Sequence, residues 1–144
     1  MSYTYEYPRP MVTVDAIVFR KKENGMQVLL IKRKNDPYKG IWALPGGFVD
    51  MDETLEEAVV RELKEETNVR FDNLTQLHAF SAVDRDPRGR NIGVMFYGII
   101  PHEKSFAKAG DDAQEAEWFF VNALPPLAFD HKKAIEMAIK KIPD

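Results

Sequence analysis

The sequence predicts an α/β fold in which a mixed sheet lies between helices. Apolar segments of strand length stand on both sides of an acidic helical segment, and a second amphipathic helix closes the chain. A sheet flanked in this way buries both of its faces against helices. With 144 residues, 44% of them hydrophobic and 30% charged, the chain has the size and composition of one globular domain, which we expect to span residues 1–144.

The strands are predicted from apolar runs that are bounded by polar or glycine-containing turns. The first two are separated by the turn Glu23-Asn24-Gly25, and a polar segment at 84–90 joins two of the later strands. The predicted strands are 12–19, 27–33, 41–44, 74–83, 92–100 and 116–121.

The two helices are predicted from their apolar period and from the signals at their ends. Thr54 and Glu57 fit a capping box, so the acidic helix begins near Thr54, and Asn68 suits the left-handed residue that ends it. Asp130 is the predicted N-cap of the last helix, whose inward face is expected to hold Ile135, Ala138, Ile139 and Ile142.

The composition argues against several classes of function. A net charge of -3, with lysines that do not gather in one dense run, argues against a nucleic-acid partner. The absence of cysteine rules out a disulfide framework and thiolate chemistry. No apolar stretch approaches the length of a membrane span, and the N-terminus lacks the order of a signal peptide. We therefore expect a cytoplasmic protein without a membrane partner.

The acidic helix places carboxylates on its apolar side. At 100° per residue, Glu62 and Glu66 fall one turn apart on the side of Leu55, Ala58 and Val59, and Glu65 falls at its edge. Core-facing carboxylates are costly unless they are paired or bound to a cation, and three together repel one another. Oxygen ligands at this density suit Mg²⁺ or Mn²⁺. The carbonyl of Gly46, in the turn before the helix, is a further candidate ligand.

A solvated, glutamate-rich helix is the alternative, and Arg61 could pair there with Glu57 or Glu65 in an i,i+4 manner. Exposed ion pairs explain glutamates on the polar face of a helix but not on its apolar face. The inward positions of Glu62 and Glu66 therefore favour the metal site, as does the glycine pair that precedes the helix.

The turn and the helix together carry the pattern Gly47-x5-Glu53-x7-Arg61-Glu62-Leu63-x-Glu65-Glu66-x-Asn68-Val69. This pattern resembles the signature of the Nudix hydrolases, in which glycine usually stands at the position of Asn68. Asparagine adopts the left-handed backbone more readily than most residues, so we expect the loop to be kept. The resemblance implies an α/β/α sandwich with a mixed central sheet. It also implies hydrolysis of a nucleoside diphosphate linked to another group.

Within this resemblance, metal ligation is assigned to Glu62, Glu65 and Glu66, with the Gly46 carbonyl as a weaker candidate. Arg61 is expected to orient a neighbouring glutamate. Glu53 is expected to brace the loop against the helix or to act through a water. The general base stays open between a helix glutamate and acidic residues elsewhere, namely Glu117, Glu115 behind it, Asp111 and Asp112.

Three local similarities point to the branch of the family that contains bacterial ADP-ribose pyrophosphatases, and they lie at 39–49, 84–90 and 127–131. They imply ADP-ribose as the substrate, with AMP and ribose 5-phosphate as products. The candidates for binding phosphate or ribose are Arg85, Arg88 and Arg90. The alternative for these arginines is a charged hairpin tip.

The candidates for stacking on adenine are Tyr38, Trp42 and Phe80, although aromatic residues near strands are as well suited to a core. The three histidines, His78, His102 and His131, lack the spacing of metal ligands and are interpreted as structural. Tyr3, Tyr5 and Tyr7 alternate as an edge strand would, which suggests a homodimer, and a frayed terminus is the alternative.

Two other functions stay open. A pyrophosphohydrolase of oxidised nucleoside triphosphates would use the same acidic motif, because that motif handles the phosphates and not the base. A ligand-sensing domain related to NAD-linked transcription regulators would share the loop and C-terminal similarities. The sequence shows no winged helix and keeps all three helix glutamates, which favours an enzyme over a sensor.

Overall fold

The computed structural model describes residues 2–110 and 113–143. Two α-helices and seven strands are found there, with a short 3₁₀ helix at His102–Lys104. The elements are β1 (Met11–Lys22), β2 (Gly25–Arg33), β3 (Trp42–Ala43), β4 (Gly46–Phe48), α1 (Leu55–Thr67), β5 (Thr75–Phe80), β6 (Asn91–Ile99), β7 (Ala113–Phe120) and α2 (His131–Ile139). Over the described ranges, no helix has the length and apolar character needed to cross a membrane.

The sheet is mixed, and β1 is its centre. One edge of β1 pairs in parallel with β6 from Met11 to Phe19. The other edge is shared, because β2 pairs with residues 19–22 of β1 and β4 pairs with residues 13–15, both antiparallel. The strands β5 and β7 extend the sheet through β6 and β2, respectively. The sheet therefore opens between β2 and β4, where the two strands leave β1.

The alternation of side chains along β1 divides the core into two layers. Val14, Ala16 and Val18 pack against α1, whereas Ile17 and Phe19 pack against α2. Each helix covers one face of the sheet, so the predicted α/β/α sandwich is confirmed.

Both predicted ends of α1 are confirmed. Thr54 accepts a hydrogen bond from the backbone of Glu57, and the Glu57 side chain accepts one from the backbone of Thr54. Asn68 lies in the left-handed region with φ of 62°. This residue satisfies the Lys64 carbonyl, as a C-cap should.

Several local predictions are wrong. Gly46 and Gly47 were expected in a turn, but they form β4, because the glycine backbone fits closely against β1. Asp130 is the N-cap residue of α2, as predicted, but its carboxylate accepts two hydrogen bonds from Arg85 and makes none to the helix backbone. Ile139, expected to face inward, is 36% exposed because it lies in the last turn of α2. Residues 2–10 form no strand in this single chain, so the proposed subunit contact remains a prediction.

Candidate active site

A cleft of about 420 Å³ lies where β2 and β4 diverge from β1. Its lining combines acidic side chains, basic side chains and two aromatic rings. The acidic lining includes Asp15, Glu62 and Glu66, and the basic and aromatic lining includes Arg33, Arg85, Arg88, Phe48 and Phe129.

Glu66 is the most deeply buried acid of α1, with 7% of its surface exposed. Its Oε1 accepts a hydrogen bond from the backbone N–H of Gly46 at 3.1 Å. Burial raises the pKa of Glu66 to about 9, and the charges of Glu62 and Asp15 add to the rise against the lowering effect of the Gly46 hydrogen bond. This carboxyl group therefore stays protonated at neutral pH until a cation compensates its charge.

Glu62 lies beside Glu66, and burial raises the pKa of both carboxyl groups. The Arg61 guanidinium, whose Nη1 lies 2.7 Å from Glu62 Oε1, opposes the rise in the pKa of Glu62. A divalent cation bound by these groups would have to displace the proton that the raised pKa favours.

The two glycines of β4 allow the helix and the sheet to meet this closely. A Cβ on Gly47 would lie 2.7 Å from the Glu62 carboxylate, and one on Gly46 would lie 2.2 Å from both Asp15 Oδ1 and the Val14 carbonyl. Contacts this short are not found at real Cβ atoms. Glycine at both positions is therefore needed for the site as it stands.

The carbonyl of Gly46 faces the same side as its N–H. Gly46 lies opposite Asp15 at a non-hydrogen-bonded position of the antiparallel β1–β4 ladder. The hydrogen-bonded positions are identified by the bonds from the Ala16 N–H to the Pro45 carbonyl and from the Val49 N–H to the Val12 carbonyl. In an antiparallel ladder such a residue points both of its polar groups away from the paired strand. Since the N–H binds Glu66, the carbonyl oxygen also faces the Glu66 side.

Arg61 is the centre of an ion-pair network around the acids. It contacts Glu53 through Nε at 2.9 Å and also through Nη2, Glu62 at 2.7 Å and Glu65 at 3.2 Å. The hydrogen bond to Glu53 holds the pKa of Arg61 above its usual value. Of the two predicted partners, Glu65 is found, whereas Glu57 is occupied by the helix cap.

Glu53 links this network to the loop that precedes α1. Its Oε1 accepts a hydrogen bond from the backbone N–H of Asp50 at 2.9 Å. The hydrogen bond from Arg61 lowers the pKa of Glu53, so the carboxylate stays ionised and holds the guanidinium in place.

The chemistry of these donors fits a hard divalent cation. The carboxyl groups of buried Glu66 and half-buried Glu62 lie near the Gly46 carbonyl, and all of these donor atoms are oxygen. Across the part of the chain that is described, no three acidic or histidine side chains converge as a ready-made cation cage. The reason lies in Glu65, which is 49% exposed and faces Arg61. A third carboxylate ligand would have to leave that arginine.

Two residues of the cleft were missed by the sequence reasoning. Asp15 is buried, and burial raises its pKa to about 7 against the lowering effect of Arg85. His131, interpreted as structural, accepts a hydrogen bond from the Leu44 N–H at Nδ1 over 3.0 Å, and burial lowers its pKa to about 3. Asp15 had a visible signal, because it is the single charged residue of the predicted strand 12–19.

The three candidate arginines separate in space. Arg85 is bound in a fork by Asp130, and Arg88 is bound by Asp86 at 2.8 Å, and both line the cleft. Arg90 was a substrate candidate, but its guanidinium binds the Ser81 carbonyl at 2.9 Å and does not line the cleft.

The three candidate aromatic residues do not line the cleft either. Trp42 packs edge-on against Phe119 with ring centres 4.8 Å apart, and Phe80 is buried in the core beneath α2. Tyr38 contacts only the outer edge of the site, through the ring of Phe129 at 4.7 Å. The rings that do face the cleft, those of Phe48 and Phe129, were not singled out in the sequence.

The candidate bases on β7 do not line the cleft. Glu117 is exposed on β7 opposite Leu30, and Glu115 lies 3.5 Å from Lys32. Asp111 and Asp112 lie outside the described residues. Glu117 is therefore not a residue of the cleft, because the β2–β7 register directs its side chain away from the acids of α1.

Comparison with known proteins identifies the family of this chain. A model of the NUDIX domain matches residues 9–138. The chain belongs to the Nudix hydrolase family. An ADP-ribose pyrophosphatase of Methanocaldococcus jannaschii is 53% identical over 130 residues, which cover 90% of this chain and 73% of that protein.

A relative that is named as a transcriptional repressor and a solved domain in complex with ADP ribose also match this Nudix chain. The ADPR responsive transcriptional repressor NtrR of Acinetobacter baylyi is 36% identical over 141 residues, which cover 95% of this chain and 56% of the repressor. The NUDIX domain of Shewanella oneidensis NrtR, solved as a complex with ADP ribose, has a TM-score of 0.88 at 33% identity. The match covers 94% of this chain and 90% of that domain. This chain spans little more than half of the length of the Acinetobacter baylyi repressor.

Proposed function

We propose that this Nudix protein hydrolyses the diphosphate bond of ADP-ribose to give AMP and ribose 5-phosphate, with Mg²⁺ or Mn²⁺ as its cofactor. The observation that carries the proposal is the position of buried Glu66 beside Glu62 and the Gly46 carbonyl, in a cleft that arginines also line. The acidic groups suit a cation, and the arginines add positive charge for a phosphate-bearing anion.

The electrostatics explain why a cation and an anion would bind together. A diphosphate would be repelled by Glu62 and Glu66 alone, whereas Arg85 and Arg88 bring positive charge to the same cleft, with their forked donors bound to Asp130 and Asp86. A divalent ion held by the carboxylates would supply charge neutralisation and water activation for cleavage of the P–O bond. The protein's own task is to hold these groups in place before the substrate arrives.

Each acidic residue has a proposed role in this arrangement. Glu62, Glu65, Glu66 and the Gly46 carbonyl would hold the cation. Arg61 is a positioning residue that orients Glu62 and Glu65, and Glu53 fixes Arg61. A helix glutamate is favoured as the general base over Glu117, because Glu117 lies outside the cleft.

The choice of ADP-ribose is supported by the Methanocaldococcus jannaschii relative, which bears that activity in its name at 53% identity. The cavity volume of about 420 Å³ lies in the usual range for sites that hold small molecules. A ligand-sensing role is the second candidate, since the NtrR relative is an ADPR responsive transcriptional repressor by name and the NrtR domain was solved in complex with ADP ribose. The intact acidic pair favours catalysis, because a pure sensor has no need of it.

Further parts of the proposal concern the whole protein. We propose that residues 1–144 act as one Nudix domain in the cytoplasm, where nucleotide substrates occur, and that a homodimer forms through the N-terminal tyrosines. Neither nucleic acid nor membrane is a proposed partner.

The decisive experiment is a substrate panel with Mg²⁺, Mn²⁺ or EDTA. We expect equal amounts of AMP and ribose 5-phosphate from ADP-ribose in either metal, and none in EDTA. Monophosphate and pyrophosphate from 8-oxo-dGTP, with ADP-ribose untouched, would support the triphosphate activity instead. Binding of ADP-ribose without turnover, together with DNA retardation at physiological salt, would support the sensor.

A further inference from the structure

One arginine lies over two aromatic rings in the mouth of the cleft. The Cζ atom of Arg88 is 4.8 Å from the ring centre of Phe48 and 5.6 Å from that of Phe129. Both distances are within the roughly 6 Å at which a guanidinium interacts with an aromatic face. Phe48 belongs to β4 and Phe129 to the segment before α2, so the two rings approach Arg88 from separate elements.

The position of Phe129 is enforced by its surroundings. Its backbone has a φ of 53°, in the left-handed region that a bulky residue rarely adopts. Tyr38 packs edge-on against its ring, and the Arg33 guanidinium lies 5.2 Å from the ring centre. A conformation of this kind persists only where neighbouring contacts hold it, and such positions cluster at ligand sites.

Arg88 is held by hydrogen bonds from Nε and Nη2 to Asp86, its neighbour two positions earlier. The Arg88 side chain is 35% exposed, whereas that of Asp86 is 1% exposed. A base that replaces the guanidinium on the rings therefore also has to draw Arg88 away from this buried carboxylate. Phe48 is also 39% exposed, so solvent reaches the ring that Arg88 partly covers.

We propose that Phe48 and Phe129 form a slot for the flat base of the nucleotide, and that the Arg88 guanidinium fills this slot until the base displaces it. The inference rests on the proposed function and names the subsite for the adenine of its substrate. A guanidinium and a purine are both planar and delocalised, and an aromatic face accepts either one.

The slot lies close to the acidic side chains of the cleft. Phe48 follows Gly47, which abuts the Glu62 carboxylate, and consecutive Cα atoms are about 3.8 Å apart. A base stacked on Phe48 therefore lies close to the acidic end of the cleft, with its ribose and diphosphate able to extend towards Glu62 and Glu66. Stacking depends on the flat face of a base more than on its polar groups. The slot would therefore favour ligands that carry a base but discriminate little between different bases.

The test of the slot is binding of 1,N6-ethenoadenosine 5′-monophosphate in EDTA, followed by fluorescence. We expect quenching on the wild-type protein, and a Kd roughly 5- to 50-fold higher with little quenching in Phe48→Leu and in Phe129→Leu. Phe106→Leu is the matched control, because Phe106 is 78% exposed and lies outside the cleft. Ribose 5-phosphate, measured as a ligand by calorimetry, should bind all four proteins equally.

A second measurement tests the displacement of Arg88 with adenosine, which carries no phosphate. Removal of the competing side chain in Arg88→Ala should tighten adenosine binding about threefold or more. Weaker binding of adenosine to this variant would overturn the displacement. Wild-type Kd and quenching in both phenylalanine variants would overturn the slot itself.

The outcomes separate this inference from the proposed function. If the wild-type protein cleaves ADP-ribose while both phenylalanine variants bind the fluorescent nucleotide normally, the slot is wrong and the activity stands. If the wild-type protein does not cleave ADP-ribose but the variants lose the nucleotide, the slot stands and the activity is wrong. Because Phe48 and Phe129 lie on different elements, misfolding of one variant leaves the other as a test.

Discussion

The carboxylate of Glu66 accepts a hydrogen bond from the backbone N–H of Gly46 at 3.1 Å, which joins α1 directly to β4. The position of Gly46 in the β1–β4 ladder directs its carbonyl to the same side. Helix and strand thereby build one site together.

Removing the acids should abolish turnover without unfolding the protein. Glu66→Gln and Glu65→Gln are expected to lower kcat for ADP-ribose by roughly 10²-fold or more, because each removes a negative charge that would hold the cation. Glu56→Gln, on the exposed side of α1, is the matched control. Steady-state kinetics with Mg²⁺ and circular dichroism check both parts. Near-wild-type rates in both variants would refute the metal assignment.

The two glycines of β4 should respond differently to alanine. Gly46→Ala brings a Cβ against the Val14 backbone, so the free energy of unfolding should fall by about 2 kcal/mol or more. Gly47→Ala meets only the Glu62 side chain, which can move, so stability should change by less than about 1 kcal/mol while activity falls. Urea unfolding and kinetics of the two variants measure this contrast. Equal destabilisation would contradict it.

Stability of the metal-free protein should decrease as the pH rises. The pKa of Glu66 is raised to about 9 in the folded state from an ordinary value of 4.5, so the folded state binds this proton more tightly than the unfolded chain. The resulting stabilisation is complete below the unfolded value and is lost as the pH rises through about 9. Asp15, with a pKa raised to about 7, contributes to the lower part of the same fall.

Urea denaturation in EDTA at several pH values measures this effect. Between pH 8 and 9, where Asp15 has lost its proton and Glu66 alone titrates, the slope should not exceed about 1.4 kcal/mol per pH unit, and nearer pH 7 Asp15 makes it steeper. Glu66→Gln should flatten that part of the curve. Added Mg²⁺ should stabilise the wild-type protein more at pH 8.5 than at pH 6, because the ligands must lose their proton to bind it. A flat curve for the wild-type protein would show that Glu66 is ionised when folded.

Arg61 should matter through the geometry of its guanidinium and not through its charge alone. Arg61→Lys keeps the charge but loses the fork that reaches Glu53, Glu62 and Glu65 together. We expect kcat to fall roughly 10- to 100-fold and the concentration of Mg²⁺ needed for half-maximal activity to rise, as is usual when a residue that orients a metal ligand is changed. Arg70→Lys, at an exposed position after α1, serves as the control. Titration of activity with Mg²⁺ distinguishes lost metal affinity from a general loss of structure.

The amino-acid sequence by itself determined the ends of α1 and the side of the helix on which Glu66 lies. The ends of α1 follow from side chains that hydrogen-bond to backbone three residues away and from the left-handed tolerance of Asn68. The inward position of Glu66 follows from the helical period, because residues one turn apart share a face. Interactions that depend on a spacing of three or four residues are determined within the segment itself.

The composition of the cleft depends instead on contacts between residues far apart in the chain. Asp15, Phe129 and Arg88 come from different parts of the chain, and they meet because β2 and β4 diverge from β1 while α2 covers the opposite face. The same geometry leaves Glu117 and Arg90 outside the cleft. Strand register and helix docking are set by burial of the whole apolar surface, which no short segment encodes, and they decide which side chains face one another.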